Sequence, residues 1–115
     1  MREIIFYRTQ SGDCPVEKFL DLLSDKKVEK VLWVLRIIKS LNLVPKQYFK
    51  KLASTDDIWE VRVQVGKDTF RILGFFSGGN LLVLTNAFAK KTQKVPRNEI
   101  LLAQSRMKDY LQRRK

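Results

Sequence analysis

An α+β domain is the fold class that the sequence predicts: a small, mainly antiparallel sheet with two N-terminal helices and a C-terminal helix. Three observations predict it. Between residues 25 and 43 apolar side chains recur at helical spacing, at Val28, Val31, Leu32, Leu35 and Ile38. The segment Trp59-Glu60-Val61-Arg62-Val63-Gln64-Val65 instead alternates apolar and polar residues, the period of a half-buried strand. Two turn-forming clusters, Gly66-Lys67-Asp68 and Gly78-Gly79-Asn80, then divide three strand-like segments into a meander.

The elements follow in order as β-α-α-β-β-β-α. Residues 3–8, Glu3-Ile4-Ile5-Phe6-Tyr7-Arg8, read as a first strand, stopped by Ser11-Gly12-Asp13. Pro15 suits the first turn of a short helix over 15–23, with Phe19, Leu20, Leu22 and Leu23 apolar. Ser24-Asp25 caps the longer helix over 25–43, and Pro45 ends it. Val34, Ile37 and Leu41 widen its apolar stripe, so it is expected to pack on more than one neighbour. A basic segment, Lys46-Gln47-Tyr48-Phe49-Lys50-Lys51, leads to the meander strands 59–65, 69–77 and 81–88. The last of these is nearly all apolar and is expected to lie inside the sheet. Pro96 opens a final helix with Glu99 in its first turn and Ile100, Ala103, Met107 and Tyr110 on its inner face. Tyr110 is therefore read as core, and the basic tail Arg113-Arg114-Lys115 as frayed.

Length and composition bound the rest. The 115 residues, 44% hydrophobic, suffice for one packed domain, 1–115. No apolar run approaches the roughly 18 residues of a membrane span, and Met1-Arg2-Glu3-Ile4-Ile5-Phe6 lacks the layout of a signal peptide. A cytoplasmic location without membrane association is the expectation. A single cysteine, Cys14, fits a reducing compartment and is read as an inert buried or loop residue. The chain has no histidine. Ser-His-Asp and Cys-His catalysis are thereby excluded, and the usual zinc ligand sets are lost. No metal or cofactor is expected, and proton transfer falls to Glu, Asp, Lys, Arg or Tyr.

Charge points to a partner. The net charge is +11, from 23 Lys and Arg against 12 Asp and Glu. Residues 1–57 carry 11 basic and 8 acidic side chains, whereas residues 58–115 carry 12 basic and 4 acidic. Such asymmetry favours a polyanion, because cations on phosphates release counterions, while solubility alone, an acidic protein or a membrane surface would use the same charge.

Side-chain parity locates candidate residues. With a two-residue loop in Gly66-Lys67-Asp68, Arg62 stands opposite Arg71. Glu60, Arg62, Gln64 and Arg71 then share one sheet face, and Trp59, Val61, Val63 and Val65 the other. Arg71 sits among Phe70, Ile72, Leu73, Phe75 and Phe76. An arginine there requires either an ion-pair partner such as Glu60 or a ligand, since an unpaired buried charge costs several kcal/mol. The third meander strand empties into Asn86-Ala87-Phe88-Ala89-Lys90-Lys91-Thr92-Gln93-Lys94-Val95-Pro96-Arg97. Four cations interleaved with a ring suit phosphate clamping and base stacking.

Trp59-Glu60-Val61-Arg62, Phe70-Arg71-Ile72-Leu73, Phe88-Ala89-Lys90-Lys91-Thr92-Gln93-Lys94-Val95-Pro96 and Glu99-Ile100-Leu101-Leu102-Ala103 together resemble the RelE/ParE toxin superfamily. The nearest branch is the phage-derived HigB-like toxins. The resemblance implies a RelE-like fold and the toxin of a type II toxin–antitoxin pair, a metal-independent endoribonuclease that cleaves mRNA on the ribosome and inhibits translation. It implies Arg71 as a clamp on the scissile phosphate, Arg62 at a basic family position, and Lys90 and Lys91 as groups that protonate or stabilise the leaving 5′-oxygen. Glu60 is either the base or the partner that holds Arg62 or Arg71. Lys50, Lys51, Phe88, Thr92, Lys94 and Arg97 are the further RNA contacts. Some relatives carry a lysine at the position of Glu60, and others use histidine or a C-terminal tyrosine in proton transfer. A HigA-like helix-turn-helix antitoxin is the implied protein partner. The alternatives are a ParE-like toxin that inhibits DNA gyrase without nuclease chemistry, and a degenerate module that only binds RNA or an antitoxin.

Overall fold

The computed structural model describes residues 1–53, 55 and 57–114. The element order is β1 (Glu3–Phe6), α1 (Pro15–Asp21), α2 (Asp25–Ser40), β2 (Phe49–Lys51), β3 (Trp59–Val65), β4 (Asp68–Ser77), β5 (Leu81–Ala89) and α3 (Arg97–Arg113). One five-stranded sheet runs β1-β5-β4-β3-β2. The expected α+β class and all three helices are present, and the sheet has one strand more than expected. That strand, β2, lies within the basic segment before the meander. Three residues are too few to display a period of two, so the pattern does not reveal it.

Helix starts follow local chemistry. Pro15 occupies the first turn of α1. The Ser24 side chain accepts the Lys27 N–H at the start of α2. Pro96 stands one position earlier than expected, as the residue that caps α3. α2 ends at Ser40, short of 43, because Leu41 turns extended and Arg2 receives the freed carbonyls. The Arg2 guanidinium donates to the carbonyl oxygens of Ile38, at 2.9 Å, Leu41 and Asn42. The N-terminal strand thus caps the helix.

The first hairpin has the two-residue loop on which the parity argument rested. Val65 pairs with Asp68 and Arg62 with Arg71, with Gly66 at φ +59° in the turn. β5 lies between β1 and β4, inside the sheet as expected. β1 pairs in parallel with β5, Ile5 opposite Val83. A parallel neighbour needs a long crossover, here everything from α1 to β4. β1 itself is shorter than 3–8, although Tyr7 still donates to the Leu84 carbonyl at 2.8 Å.

Each face of the sheet buries a different set. On one face Val61, Val63, Phe70, Ile72, Leu82 and Leu84 pack against Val16 and Leu20 of α1 and Val31, Val34, Leu35 and Ile38 of α2. Leu32 and Leu41, expected in the α2 stripe, are instead 40% and 42% exposed. On the other face α3 lays Ile100, Ala103, Met107 and Tyr110 over Leu73, Phe75 and Val83. Tyr110 meets Phe75 edge-on, with ring centroids 5.7 Å apart, which is a packing role. Arg113 ends α3, and Arg114 closes its last turn; Lys115 lies outside the described residues. No helix among the described residues is long and apolar enough to cross a membrane.

Candidate functional site

α3 covers only part of its face of the sheet. The uncovered part lies toward the β3–β4 hairpin and carries the polar residues of β3. Parity puts Glu60 and Arg62 here, with Arg71 and Phe88 in one cross-strand row beside Arg62. Lys50 of β2 stands opposite Glu60, so it joins the same face.

Arg71 and Glu60 form the centre. Both are buried, at 3% and 1% exposure. Arg71 Nε lies 3.1 Å from Glu60 Oε2, yet neither atom makes a hydrogen bond. Charge proximity is therefore good and direction poor, so the contact is an ion pair rather than a directed hydrogen bond. Arg71 Nη2 donates to the Gln93 carbonyl at 2.9 Å. Arg71 thus has the carboxylate partner that its apolar sequence context demanded, and a loop carbonyl for a lid. Glu60 is the ion-pair partner of Arg71.

Around this pair stand accessible cations. Arg62 is half-buried and makes no ion pair among the described residues. Lys90 is half-buried. Its N–H donates to Thr69 O at 2.7 Å, and its ammonium donates to Gln93 Oε1 at 3.3 Å. Partial desolvation pushes the Lys90 pKa down, the positive charges of Arg62 and Arg71 push the same way, and Glu60 opposes them. A lysine depressed by desolvation and by neighbouring guanidiniums is suited to proton transfer.

The remaining candidates divide. Lys91 and Thr92 are exposed and line a shallow depression of about 360 Å³ with Lys67, Thr69, Lys90 and Gln93. The Thr92 hydroxyl donates to Lys94 O at 2.8 Å, which shapes the loop. Lys94 is exposed, as is Arg97 at the start of α3. Phe88 is half-buried against the Leu52, Ile58, Leu73 and Ala103 cluster, so its ring is committed to the core under α3. Lys51 pairs with Trp59 and stands on the opposite face. It joins Lys46, Phe49, Trp59 and Phe76 along a separate cavity of about 730 Å³.

Several residues that matter here escaped the sequence reading. Gln93 supplies both the lid carbonyl and the acceptor for Lys90. Asn86 is 3% exposed, and its amide donates to Glu99 Oε1 at 2.9 Å and to Glu99 O at 3.3 Å. The Thr85 hydroxyl bonds Leu73 O and Asn86 Oδ1. This buried chain fixes the start of α3, and with it the loop over Arg71. Its signal was visible: two polar residues, Thr85-Asn86, inside an otherwise apolar strand. Among the described residues, no three His, Cys, Asp or Glu side chains gather in a group that could hold a metal ion.

The fold is a small α+β domain with a basic, half-open sheet face. Residues 18–108 match the family described as phage derived protein Gp49-like (DUF891), a RelE-like family associated with toxin–antitoxin systems. The chain belongs to that family. No curated protein matches it significantly.

Proposed function

We propose that this protein is the toxin of a toxin–antitoxin pair and acts as a metal-independent endoribonuclease on mRNA, on the ribosome. One observation carries the reading: a buried arginine, Arg71, paired with Glu60, stands cross-strand from half-buried Arg62 and within charge range of half-buried Lys90. An uncovered sheet face with this arrangement suits a phosphate whose charge increases during reaction.

In the proposed reaction the ribose 2′-hydroxyl gives its proton to water as its oxygen attacks the adjacent phosphorus, and the bond to the 5′-oxygen breaks. The products are a 2′,3′-cyclic phosphate and a free 5′-hydroxyl. Arg62 meets a non-bridging oxygen. Arg71 joins it when a phosphate oxygen replaces the Gln93 carbonyl, an exchange confined to an exposed loop. Lys90, acidified by desolvation and by the two guanidiniums, gives its proton to the departing 5′-oxygen. Lys91, Thr92, Lys94 and Arg97 hold the RNA backbone beyond, and Lys50 does so on the β2 side. Glu60 fixes Arg71 in orientation and does not meet the 2′-hydroxyl. The protein partner in this reading is an antitoxin carrying a helix-turn-helix.

Expression of the toxin in cells, followed by mapping of mRNA 5′ ends, tests the proposal. Codon-biased cuts bearing 5′-hydroxyls that disappear with Arg71→Ala and Lys90→Ala support it. Intact mRNA accompanied by trapped gyrase complexes would replace it with a ParE-like activity.

A further inference from the structure

The cationic surface continues past Arg62 around the edge of the sheet. β2 covers β3 only as far as Tyr48, whose carbonyl accepts the Arg62 N–H at 2.8 Å. Beyond that point β3 has no neighbour on this side, and residues from both layers meet across the gap. α2 contributes Trp33, which is 38% exposed and lies outside the buried stripe of Val31, Val34, Leu35 and Ile38. Lys30 sits 4.6 Å above the indole, and Tyr48 meets it edge-on with centroids 5.7 Å apart. A depression of about 560 Å³ is lined by Lys30, Tyr48, Arg62 and Gln64. A second, of about 700 Å³, shares Lys30 and Gln64 and continues over Trp33 to Arg36.

A single exposed aromatic is ordinary. A tryptophan and a tyrosine set among Lys30, Arg36 and Arg62, in a groove that leads to a cationic cluster, is the combination that single-stranded nucleic acid requires. The rings offer a face to a base of any identity, and the cations track the phosphates. We infer that this groove is a base-stacking subsite for single-stranded RNA, with a nucleobase flanking the cleaved phosphate on Trp33 beside Tyr48, and Lys30, Arg36 and Arg62 on the backbone. The inference rests on the assignment of scission to Arg62, Arg71 and Lys90, and adds the direction in which the strand leaves it. An acidic protein segment is the competing occupant. Four cations, Lys26, Lys30, Arg36 and Arg62, against one carboxylate, Glu29, line the groove beside its two rings, and rings with cations suit bases on a phosphate backbone, which favours RNA.

The test uses the whole chain and a labelled 12-nucleotide 2′-O-methyl RNA, which cannot be cleaved because its nucleophile is blocked. Binding is followed by anisotropy and by intrinsic tryptophan emission. Wild type is expected to bind with quenched emission, and Trp33→Phe to keep affinity within about threefold while losing the quench. Trp33→Ala weakens binding about tenfold, within the range for loss of one stacked base. Lys30→Ala and Arg36→Ala each reduce the salt slope by about 0.7. Arg71→Ala keeps the Trp33 quench and loses cleavage of mRNA on the ribosome. Trp33-dependent binding by a wild type that leaves mRNA on the ribosome uncut sustains the groove and removes the scission reading. Affinity of Trp33→Ala within twofold of wild type, unchanged emission at saturation, or no binding by wild type overturns the groove. So does a Trp33→Ala protein that still binds the oligonucleotide but no longer binds an acidic protein partner. Where Trp33→Ala proves misfolded by circular dichroism, the Trp33→Phe quench and the Lys30→Ala salt slope decide.

Discussion

Glu60 and Arg71 offer the sharpest test of how the site is held. Their charged atoms lie 3.1 Å apart in a setting where both residues are almost fully buried. With an effective dielectric constant of about 20, the attraction at that distance is about 5 kcal/mol. Desolvation of the two ions costs several kcal/mol each, so the intact pair contributes little net stability. Removing one partner is a different matter. Glu60→Ala strands the arginine charge in the interior and should destabilise the fold by about 3–5 kcal/mol. For a domain of this size that corresponds to a fall in Tm of about 10–20 °C. The double substitution Glu60→Leu with Arg71→Met replaces both ions by apolar groups and should recover most of the loss. Thermal and urea unfolding of the two single variants and the double complete the cycle. RNA cleavage should be absent from the recovered double variant, which separates fold from function. A Glu60→Ala protein within 1 kcal/mol of wild type would refute the reasoning. So would a double variant no more stable than the single.

Three further predictions concern proton transfer, helix docking and the sheet. With Lys90 as the acid, activity should be level at low pH and fall as pH rises through its lowered pKa, below the ordinary lysine value of 10.5. Arg62→Gln removes one depressing charge, so the alkaline limb of the pH–rate profile should move to higher pH. Asp109 accepts the Tyr7 hydroxyl at 2.6 Å, and that hydrogen bond, with help from Gln10 and Arg113, holds its carboxyl below the usual 3.8 despite partial burial. A depressed carboxylate stabilises above its unfolded value and ceases to do so as pH falls through the folded one. Asp109→Asn should therefore lower Tm at pH 7, with the gap to wild type closing below pH 3.8. Gly74 sits at the register shift of β4 against β5, where an added Cβ would lie 2.6 Å from the Val83 carbonyl oxygen. Gly74→Ala should cost about 1–3 kcal/mol by overpacking, read by urea unfolding.

Legibility of this fold in the sequence followed the range of the interactions involved. Period and punctuation are local properties, so α2, α3 and the β3–β4 hairpin announced themselves, and parity placed Arg62 opposite Arg71 before any coordinates were needed. The parallel pairing of β1 with β5 depends on contacts across nearly the whole chain, and no local signal specifies it. The early end of α2 has the same origin, since its carbonyls are taken by Arg2 from the far end of the sequence. Lys50 and Lys51 show the limit most clearly. They are adjacent and chemically alike, yet β2 turns one toward the Arg71 face and the other toward Trp59. Without β2 assigned as a strand, their separation has no sequence signature.

The same division explains why the site has two characters. Strand residues on the α1–α2 face are apolar where two helices and their connection cover them, and charge appears there only at the margins, at Lys51 and Asp68. The opposite face is covered only as far as α3 reaches, and α3 is anchored at its start by Asn86 to Glu99. Past that anchor no helix remains to bury a strand residue, and charge becomes tolerable. Arg71 lies at this boundary, with apolar neighbours behind it and a loop carbonyl above. Its charge is fixed from behind by Glu60 and can be reached from the front only through the loop that α3 positions. If that linkage holds, Asn86→Ala should weaken activity without touching any cation, by letting the start of α3 and the 90–95 loop shift. Loss of a buried hydrogen-bonded amide should also cost about 1–3 kcal/mol. Restoration of activity by Asn86→Gln, with stability unchanged from the alanine variant, would argue that the anchor positions the loop rather than merely supporting the fold. Full activity in the alanine variant would show that Arg71 and Lys90 are placed by the sheet alone.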